Sequence, residues 1–395
     1  MNRQKTRNVA LALVGLLALS IYILACTSFS PDDTKVLYPA FDAPSGAVGM
    51  AVYDRETGGS EMLFLPVDYE SGKSNAAIAP SILRAEWLAN GREIVVAYSA
   101  GKSSSSSDEV GVAVIPWGAR KPIRIFRVPE VKELGEFFRL PLCVASERVF
   151  LRTSDKGVAR LDLRTGALTG HEFEDAKGKV WLYPAPDGAG VFYCESGGQR
   201  EEKTVFGRLN ASDFSRKPLM VITNEFDDES VIAYDKAGRV LAILGSGAET
   251  NELVVLRDGQ PIFKRSLDAR GQKRCFGNAI FAANGKALRA TFRQAKGTNT
   301  VCYGLMEIPF SDAPPRELTL INSAPKGDEP AVYYFQAAIS HDGKTAAIAS
   351  TYLACTEEEF KPADCALFLV DLSDPKWKVT KVPVPMPAKR PDFLH

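Results

Sequence analysis

Short apolar runs separated by polar turns extend over nearly the whole chain after residue 30. The runs are four to eight residues long and rich in Val, Ile, Leu, Phe and Tyr, and Gly, Asp, Asn and Ser punctuate them. No segment of this region keeps a helical apolar period for three turns. The pattern predicts short strands, and therefore an all-β domain.

The strands recur as a repeat in which an apolar strand, a tight turn ending in glycine and a second apolar strand follow one another. The clearest copies are 85–100, 183–198, 232–247, 279–294 and 337–352, with a degenerate copy at 144–155. Their turns contain Gly91, Gly188, Gly238, Gly285 and Gly343, and Glu147 in the degenerate copy. Glycine suits such turns because they need a positive φ. Spacings of roughly 40–58 residues suit one four-stranded propeller blade per repeat.

Counting the copies predicts a β-propeller of seven four-stranded blades over residues 36–385, with six and eight blades as the alternatives. Third strands follow the paired strands at 158–170, 252–264 and 366–378, and the stretch 49–67 has the same form. We expect the strand near Val36–Tyr38 to complete the last blade, and residues 386–395 to form a C-terminal tail. Two β-sandwiches are disfavoured because they would not need evenly spaced repeats.

Three segments carry a resemblance to a known repeat. Residues 341–350 (HDGKTAAIAS) and 186–196 (PDGAGVFYCES) resemble the turn and second strand of the TolB-type, WD40-like (PD40-like) β-propeller repeat, and 160–166 (RLDLRTG) resembles its outer hairpin. The resemblance implies a propeller and a role in envelope organisation or protein assembly. It implies little about activity, because propellers host many functions.

The N-terminal residues predict an export signal over residues 1–25. Arg3, Lys5 and Arg7 precede an uncharged apolar stretch over residues 8–26. The segment Ile23-Leu24-Ala25-Cys26 resembles a bacterial lipobox, which implies cleavage before Cys26, lipidation of its thiol and a polar tether over 26–35. Two alternatives stay open: an uncleaved anchor, since residues 8–26 would form a helix about 28 Å long, and simple cleaved secretion. All three export the body of the protein.

The lipoprotein resemblance also implies a location. The lipid anchor would make the membrane a partner of the protein. Thr27 is not the aspartate that is associated with retention in the inner membrane, so the resemblance points to an outer-membrane lipoprotein that faces the periplasm or the cell surface. The alternative is a periplasmic domain anchored in the inner membrane.

Six cysteines remain after Cys26, and an even number in an exported chain predicts disulfides. Cys355 and Cys365 bracket a polar loop, and a bridge across it would stabilise the fold by roughly 2–3 kcal/mol. The remaining pairs, Cys275–Cys302 and Cys143–Cys194, follow by elimination, with buried thiols as the alternative. No CxxC spacing occurs, so a metal cluster is not predicted.

Charge and motifs limit the chemistry. With 48 basic and 48 acidic side chains the chain lacks the basic excess of a nucleic-acid partner. Its three histidines disfavour a histidine-rich metal site. Neither GxSxG nor HExxH occurs. We predict no cofactor and no metal, and paired-carboxylate hydrolysis stays open.

A binding face is predicted where the long polar loops gather. In a propeller of this repeat type, the loops between second and third strands and between blades lie on the rim opposite the turn glycines. Loops on a rigid scaffold often carry function, although ordinary solvated turns are the alternative. The candidate binding residues in these loops are Lys102, Arg200, Glu201, Asp227, Asp228, Thr250, Asn251, Arg293, Lys296, Glu357 and Glu358.

These observations favour a membrane-anchored, non-enzymatic propeller that acts as a binding or scaffolding module for a protein or an envelope polymer. The first alternative is a carbohydrate-active hydrolase or lyase that uses the propeller channel. The second is a sensor ectodomain on an uncleaved anchor.

Overall fold

The structure is a computed structural model in which every regular element is a strand. It describes residues 27–41, 48–63, 81–100, 109–119, 123–128, 143–185, 190–196, 203–222, 231–235, 237–246, 251–267, 274–282, 284–296, 300–323, 333–352 and 366–383. The apolar segment 8–26, with Cys26, and the tail 386–395 lie outside the described residues. Within the described ranges no helix has the length and apolar character needed to cross a bilayer.

The strands form seven antiparallel sheets of four strands each, and these sheets are the blades. Blade 1 contains β1 Ser28–Phe29, β2 Lys35–Phe41, β3 Val48–Asp54 and β4 Ser60–Leu63. Blade 2 contains β5 Ser81–Trp87, β6 Glu93–Ala100, β7 Glu109–Pro116 and β8 Arg124–Val128. Blade 3 contains β9 Cys143–Ala145, β10 Arg148–Arg152, β11 Gly157–Asp162 and β12 Leu168–Glu172. Blade 4 contains β13 Val180–Pro184, β14 Val191–Glu195, β15 Thr204–Leu209 and β16 Arg216–Ile222.

The last three blades repeat this plan. Blade 5 contains β17 Val231–Tyr234, β18 Val240–Ser246, β19 Asn251–Arg257 and β20 Gln260–Ser266. Blade 6 contains β21 Arg274–Phe281, β22 Ala287–Lys296, β23 Thr300–Pro309 and β24 Arg316–Ser323. Blade 7 contains β25 Tyr333–Ile339, β26 Thr345–Tyr352, β27 Ala366–Asp371 and β28 Val379–Pro383. The prediction of an all-β propeller with seven four-stranded blades is confirmed.

Each blade consists of four consecutive strands, and its first strand lies innermost. The first strands contact those of neighbouring blades: β17 contacts β21, β21 contacts β25, and β25 contacts β1. They therefore surround the ring axis, and we call them the inner strands. The contact between β25 and β1 closes the ring between blade 7 and blade 1, which we call the seam.

The core lies between the blades rather than inside one layer. Leu37 and Met50 of blade 1 pack against Ala85, Trp87 and Ile94 of blade 2. Successive residues of a strand point to opposite faces of its sheet, so each blade contributes one set of side chains to each neighbour. This arrangement explains why the strands are apolar on both faces.

The glycine turns have the conformation that the repeat predicts. Gly91, Gly238, Gly285 and Gly343 have φ values of 63°, 70°, 65° and 70°. Glu147 has a φ of 59°, so the degenerate copy makes a turn of the same hand. Gly188 lies outside the described residues. A Cβ at Gly238 would also meet Phe192 Cε1 at 2.6 Å, so this position excludes larger residues on steric grounds too.

The start of the fold differs from the prediction. Residues 28 and 29 form β1, and Phe29 is only 5% exposed, so the expected tether over 26–35 is wrong for the residues from Thr27 onward. Val36–Tyr38 belongs to β2, the second strand of blade 1, and does not complete the last blade. The physical reason is that β1 and the turn after it supply blade 1 with its own inner strand.

The seam is held by side chains of blade 1 that reach the first turn of blade 7. The Asp33 carboxylate accepts hydrogen bonds from the backbone N–H groups of His341, at 2.8 Å, and Asp342, at 3.0 Å. His341 Nδ1 also lies 2.8 Å from Asp33 Oδ1. Arg55 donates to the carbonyl oxygen of Asp33 at 2.6 Å and to Thr345 Oγ1 at 2.9 Å.

The cysteines contradict two predicted disulfides. Cys143, Cys194 and Cys302 are buried thiols. Cys143 belongs to the core between blades 3 and 4 and Cys194 to the core between blades 4 and 5, so blade 4 separates them.

The other pair is excluded by strand spacing. Strand β22 lies between Cys275 on β21 and Cys302 on β23. Neighbouring strands are about 4.8 Å apart, so the Cα atoms of Cys275 and Cys302 are separated by two such spacings. This separation exceeds the roughly 6.8 Å that a disulfide allows between Cα atoms. Cys355 and Cys365 lie outside the described residues, and their pairing stays a prediction.

Candidate binding face and central channel

The topology divides the propeller into two faces. The turns from inner to second strand and from third to fourth strand lie on one face, the turn face, represented in blade 7 by Ser340–Thr345. The connections from second to third strand and from blade to blade lie on the other, the loop face. In blade 3 the loop face contains residues 153–156 and 173–179.

The polar groups of the turn face bind one another. Ser340 Oγ donates to Asp342 Oδ1 at 2.6 Å and accepts from the backbone N–H of Thr345 at 2.9 Å. Arginines join the turns of neighbouring blades: Arg160 donates to carbonyl oxygens of Ala211 and Ser212 at 2.7 and 2.6 Å. Arg265, Arg289 and Arg124 donate in the same way to the turns of the next blades. These hydrogen bonds on the turn face join each of these blades to the next.

The described part of the loop face carries charged pairs, among them Arg152–Asp155 at 2.6 Å, and a cluster around Glu195 and Asp175. Arg216 of β16 pairs with Glu195, and its Nη2 lies 2.5 Å from Asp175 Oδ2. The same guanidinium lies 4.9 Å from the ring centroid of Phe173. The Asp175 side chain is 81% exposed, whereas Arg216 and Glu195 are 13% exposed. The cluster thus presents one accessible carboxylate above a buried ion pair.

Asn251 is the one predicted binding residue whose side chain the structure describes, and its prediction as a binding residue is wrong. The residue is fully buried, at 0% exposure. Its side-chain Nδ2 donates to the backbone carbonyl oxygen of Arg274 at 2.6 Å. Its backbone carbonyl oxygen accepts from the backbone N–H of Leu267 at 2.8 Å. Asn251 therefore joins blade 5 to blade 6 and is not presented to a partner.

The other predicted binding residues fall into two groups. Arg293 and Lys296 lie on the long strand β22, which continues to Lys296, rather than in a loop. Both are near the loop-face end of that strand, and their role in binding stays a prediction. The remaining candidates lie outside the described residues and stay predictions: Lys102, Arg200, Glu201, Asp227, Asp228, Thr250, Glu357 and Glu358.

The inner strands carry an acid that the sequence analysis did not select. Glu86 lies on the inner strand β5, between Ala85 and Trp87, which face the core with blade 1. Burial raises the pKa of Glu86 to about 7, and the Ser28 hydroxyl and the Arg84 charge oppose this shift. Ser28 lies on the inner strand of blade 1, so the Glu86 side chain approaches the inner strand of the neighbouring blade.

Two further groups share this environment. Burial raises the pKa of the Cys143 thiol and of the Tyr234 hydroxyl, and a charge on Glu86 raises both further. Cys143 belongs to blade 3 and Tyr234 to blade 5, so the charge on Glu86 affects groups of two other blades. Tyr234 Oη donates to the carbonyl oxygen of Pro184 at 2.5 Å.

These groups differ in what they can do. A carboxyl group with a pKa of about 7 can donate or accept a proton at neutral pH. The thiol and the phenol stay protonated there, so they act as hydrogen-bond donors and not as nucleophiles. Charged Arg84 and Glu86 in an otherwise apolar strand were a sequence signal for a channel site. Among the described residues, no group of three His, Cys, Asp or Glu could hold a metal ion.

The comparisons with known proteins agree on the fold and go no further. No protein-family model and no curated protein matches the chain. Among solved structures, the Dos1 propeller is 10% identical, with 90% of this chain and 83% of that chain covered and a TM-score of 0.51. Hsv2 of Kluyveromyces lactis is 10% identical, with 91% and 97% covered and a TM-score of 0.50.

A third structure, from Bacteroides fragilis and provisionally assigned as a 6-phosphogluconolactonase, is 13% identical, with 92% of this chain and 98% of that chain covered and a TM-score of 0.50. Identities this low are informative about architecture alone. The chain is similar to these proteins in being a β-propeller of seven blades.

Proposed function

We propose that the chain is an exported propeller, held at a membrane by its N-terminal segment, that binds a component of the cell envelope through its loop face. The observation that carries this proposal is the contrast between the two faces. Several polar groups of the turn face join neighbouring turns within the ring, whereas the long polar connections begin and end at the loop face. A protein or an envelope polymer is the expected partner.

The anchor part of the proposal rests on the lipobox-like segment that ends at Cys26. Intact mass spectrometry of the membrane-extracted protein, beside a Cys26→Ser variant, tests it. We expect the mass of the chain without residues 1–25 plus acyl groups, and the loss of that species in the variant. An intact N-terminus without lipid would instead identify residues 8–26 as a spanning anchor and favour the sensor ectodomain.

The binding part is tested by charge reversal on the two faces of the full chain. Lys102→Glu changes a predicted loop-face residue, and Arg164→Glu changes an exposed residue of the turn face in blade 3. Crosslinking on intact cells should lose the bound envelope component in the first variant and retain it in the second. Equal loss in both variants, or in neither, would contradict a loop-face site.

A second candidate function is a carbohydrate-active hydrolase or lyase that works in the channel. The raised pKa of Glu86 favours it, because a general acid at neutral pH needs such a value. Activity should fall as the pH rises through about 7, where Glu86 loses its proton.

Polysaccharide turnover by the purified full chain tests this candidate. Glu86→Gln should lower the rate by at least about 100-fold, the usual contribution of a general acid. Glu56→Gln, which changes an exposed acid on the turn face, is the matched control and should leave the rate unchanged. A chain without turnover, or an active Glu86→Gln variant, would eliminate the candidate.

A further inference from the structure

The N-terminal segment joins the fold without a spacer. Thr27 is 7% exposed and Ser28 is 9% exposed, so the first two residues after Cys26 are already buried. Strand β1 begins at Ser28 and pairs with β2 through Ser28↔Leu37 and Phe29↔Val36. Consecutive Cα atoms are about 3.8 Å apart, so a group attached to Cys26 starts within one residue of the packed ring.

The direction of β1 determines the face from which that segment leaves. An inner strand runs from the loop face to the turn face, and β1 ends at the turn that contacts the turn of blade 7 through Asp33 and His341. Thr27, the residue before β1, therefore lies at the loop-face end of this inner strand.

Alignment on the turns gives the level of Thr27 along the inner strands. The backbone N–H groups of Ser30, Ala185 and Asp235 make the equivalent turn hydrogen bonds, at 2.9, 3.0 and 3.0 Å. Strand β13 begins five residues before Ala185, and β17 begins four residues before Asp235. Cys26 is four residues before Ser30. Thr27, three residues before Ser30, thus lies within two residues of the level at which these two inner strands begin.

We infer that the loop face lies against the membrane and that the component it binds is the lipid headgroup surface. An anchor without a spacer at the mouth of the channel brings the bilayer to that mouth, because one or two residues span at most about 7 Å. The turn face is a strand length away, which is about 17 Å even for the five-residue β12. This inference rests on the proposed anchor and holds equally for a lipid and for an uncleaved span, since both join at Thr27.

Two labelled positions in one blade test the orientation. Glu174 and Arg164 are exposed residues beyond the two ends of β12, on the loop face and the turn face respectively. Full chains with Glu174→Cys or Arg164→Cys are labelled with a fluorophore and reconstituted into phosphatidylethanolamine–phosphatidylglycerol vesicles that contain headgroup nitroxide lipids. The unsubstituted chain gives the background from native thiols. We expect at least about twofold stronger quenching at 174, because the positions differ by about 17 Å in depth.

A linker insertion tests the orientation of the propeller separately from its attachment to the membrane. A Gly-Ser linker of about ten residues between Cys26 and Thr27 adds a reach of roughly 17 Å, and should remove the difference in quenching while the chain still floats with the vesicles. A chain that does not float would overturn the anchor, and with it the inference. A floating chain with stronger quenching at 164, or with equal quenching before the insertion, would overturn the orientation alone and leave the loop face to a soluble partner.

Discussion

The two turns that meet at the seam share the hydrogen bonds of a serine and an aspartate, and they differ at the position of positive φ. In blade 1, Ser30 Oγ donates to Asp32 at 2.6 Å and accepts from the backbone N–H of Lys35 at 2.9 Å. In blade 7, Ser340 Oγ makes the equivalent bonds at 2.6 and 2.9 Å. Where blade 7 has Gly343, blade 1 has Asp33.

This difference shows how the ring closes with complete blades at both ends. Asp33 has a φ of 59°, a conformation that costs an L-residue about 1 kcal/mol or more and that Gly343 adopts freely at 70°. In return, its carboxylate accepts two backbone N–H groups of the facing turn. A turn position that glycine fills in blade 7 has therefore become a contact across the seam.

The largest effect should come from removing the apolar contact of β1. Phe29 packs with Tyr38 of its own blade and with Ala347 and Leu367 of blade 7 across the seam. Phe29→Ala should lower the free energy of unfolding by about 3–4 kcal/mol. Phe368→Ala, at the equally buried position away from the seam, should cost a similar amount in urea titrations. Hydrogen exchange should rise selectively in blades 1 and 7 for Phe29→Ala, and a uniform rise would contradict a seam role.

Replacing the distinguishing residue should have the next largest effect. Asp33→Gly keeps the positive φ without strain and removes the acceptor for His341 and Asp342, so we expect a loss of about 1–2 kcal/mol. Asp33→Asn keeps one acceptor and should lose about half as much. Thermal unfolding of the two variants measures the difference. Unchanged stability in Asp33→Gly would show that the carboxylate does not close the ring.

The shared part of the two turns predicts equal losses. Ser30 and Ser340 are each 1% exposed, and each hydroxyl accepts from a backbone N–H of the following strand. Ser30→Ala and Ser340→Ala should each cost about 1 kcal/mol, because a buried donor loses its partner. Chemical denaturation measures both variants. A markedly larger loss for one of them would mean that the two turns are not equivalent.

The smallest expected effect is an acid dependence. The Ser30 hydroxyl and the Thr34 groups lower the pKa of Asp32 to about 2, and the Ser340 hydroxyl lowers that of Asp342. The ionised carboxylate therefore stabilises the fold above pH 4, and this contribution is lost as the pH falls towards 2. After allowance for solvent screening we expect about 1 kcal/mol for Asp32. Asp32→Asn should flatten the curve of unfolding free energy between pH 4 and 2, and an unchanged slope would contradict this assignment.

The seam also shows where sequence reasoning succeeds and where it fails. Turn glycines such as Gly343 are visible because only local backbone geometry demands them, and they predict the repeat and the blade count. The first turn was missed because Asp33 replaces the glycine and its polar neighbours are typical of a tether, although Ser30 and Asp32 match Ser340 and Asp342 of blade 7.

The candidate site was harder to predict. Arg84 and Glu86 are the charged residues of an otherwise apolar inner strand, and the pKa of Glu86 is raised because burial disfavours its charged form. That burial depends on packing between blades, such as the contacts of β5 with the strands of blade 1. Asn251 looked like a loop residue, but its amide bonds a carbonyl oxygen of the next blade. The burial of Glu86 and the hydrogen bond of Asn251 both depend on a neighbouring blade, so the local pattern of apolar and polar residues does not predict them.

Blades made of consecutive strands have a consequence for folding. Each blade can pair its own strands without waiting for a distant partner strand. Such local pairings involve short loop closures and favour rapid folding. The one event that needs both ends of the chain is the docking of blade 7 on blade 1, so this step should come last and should be the first to reverse under stress.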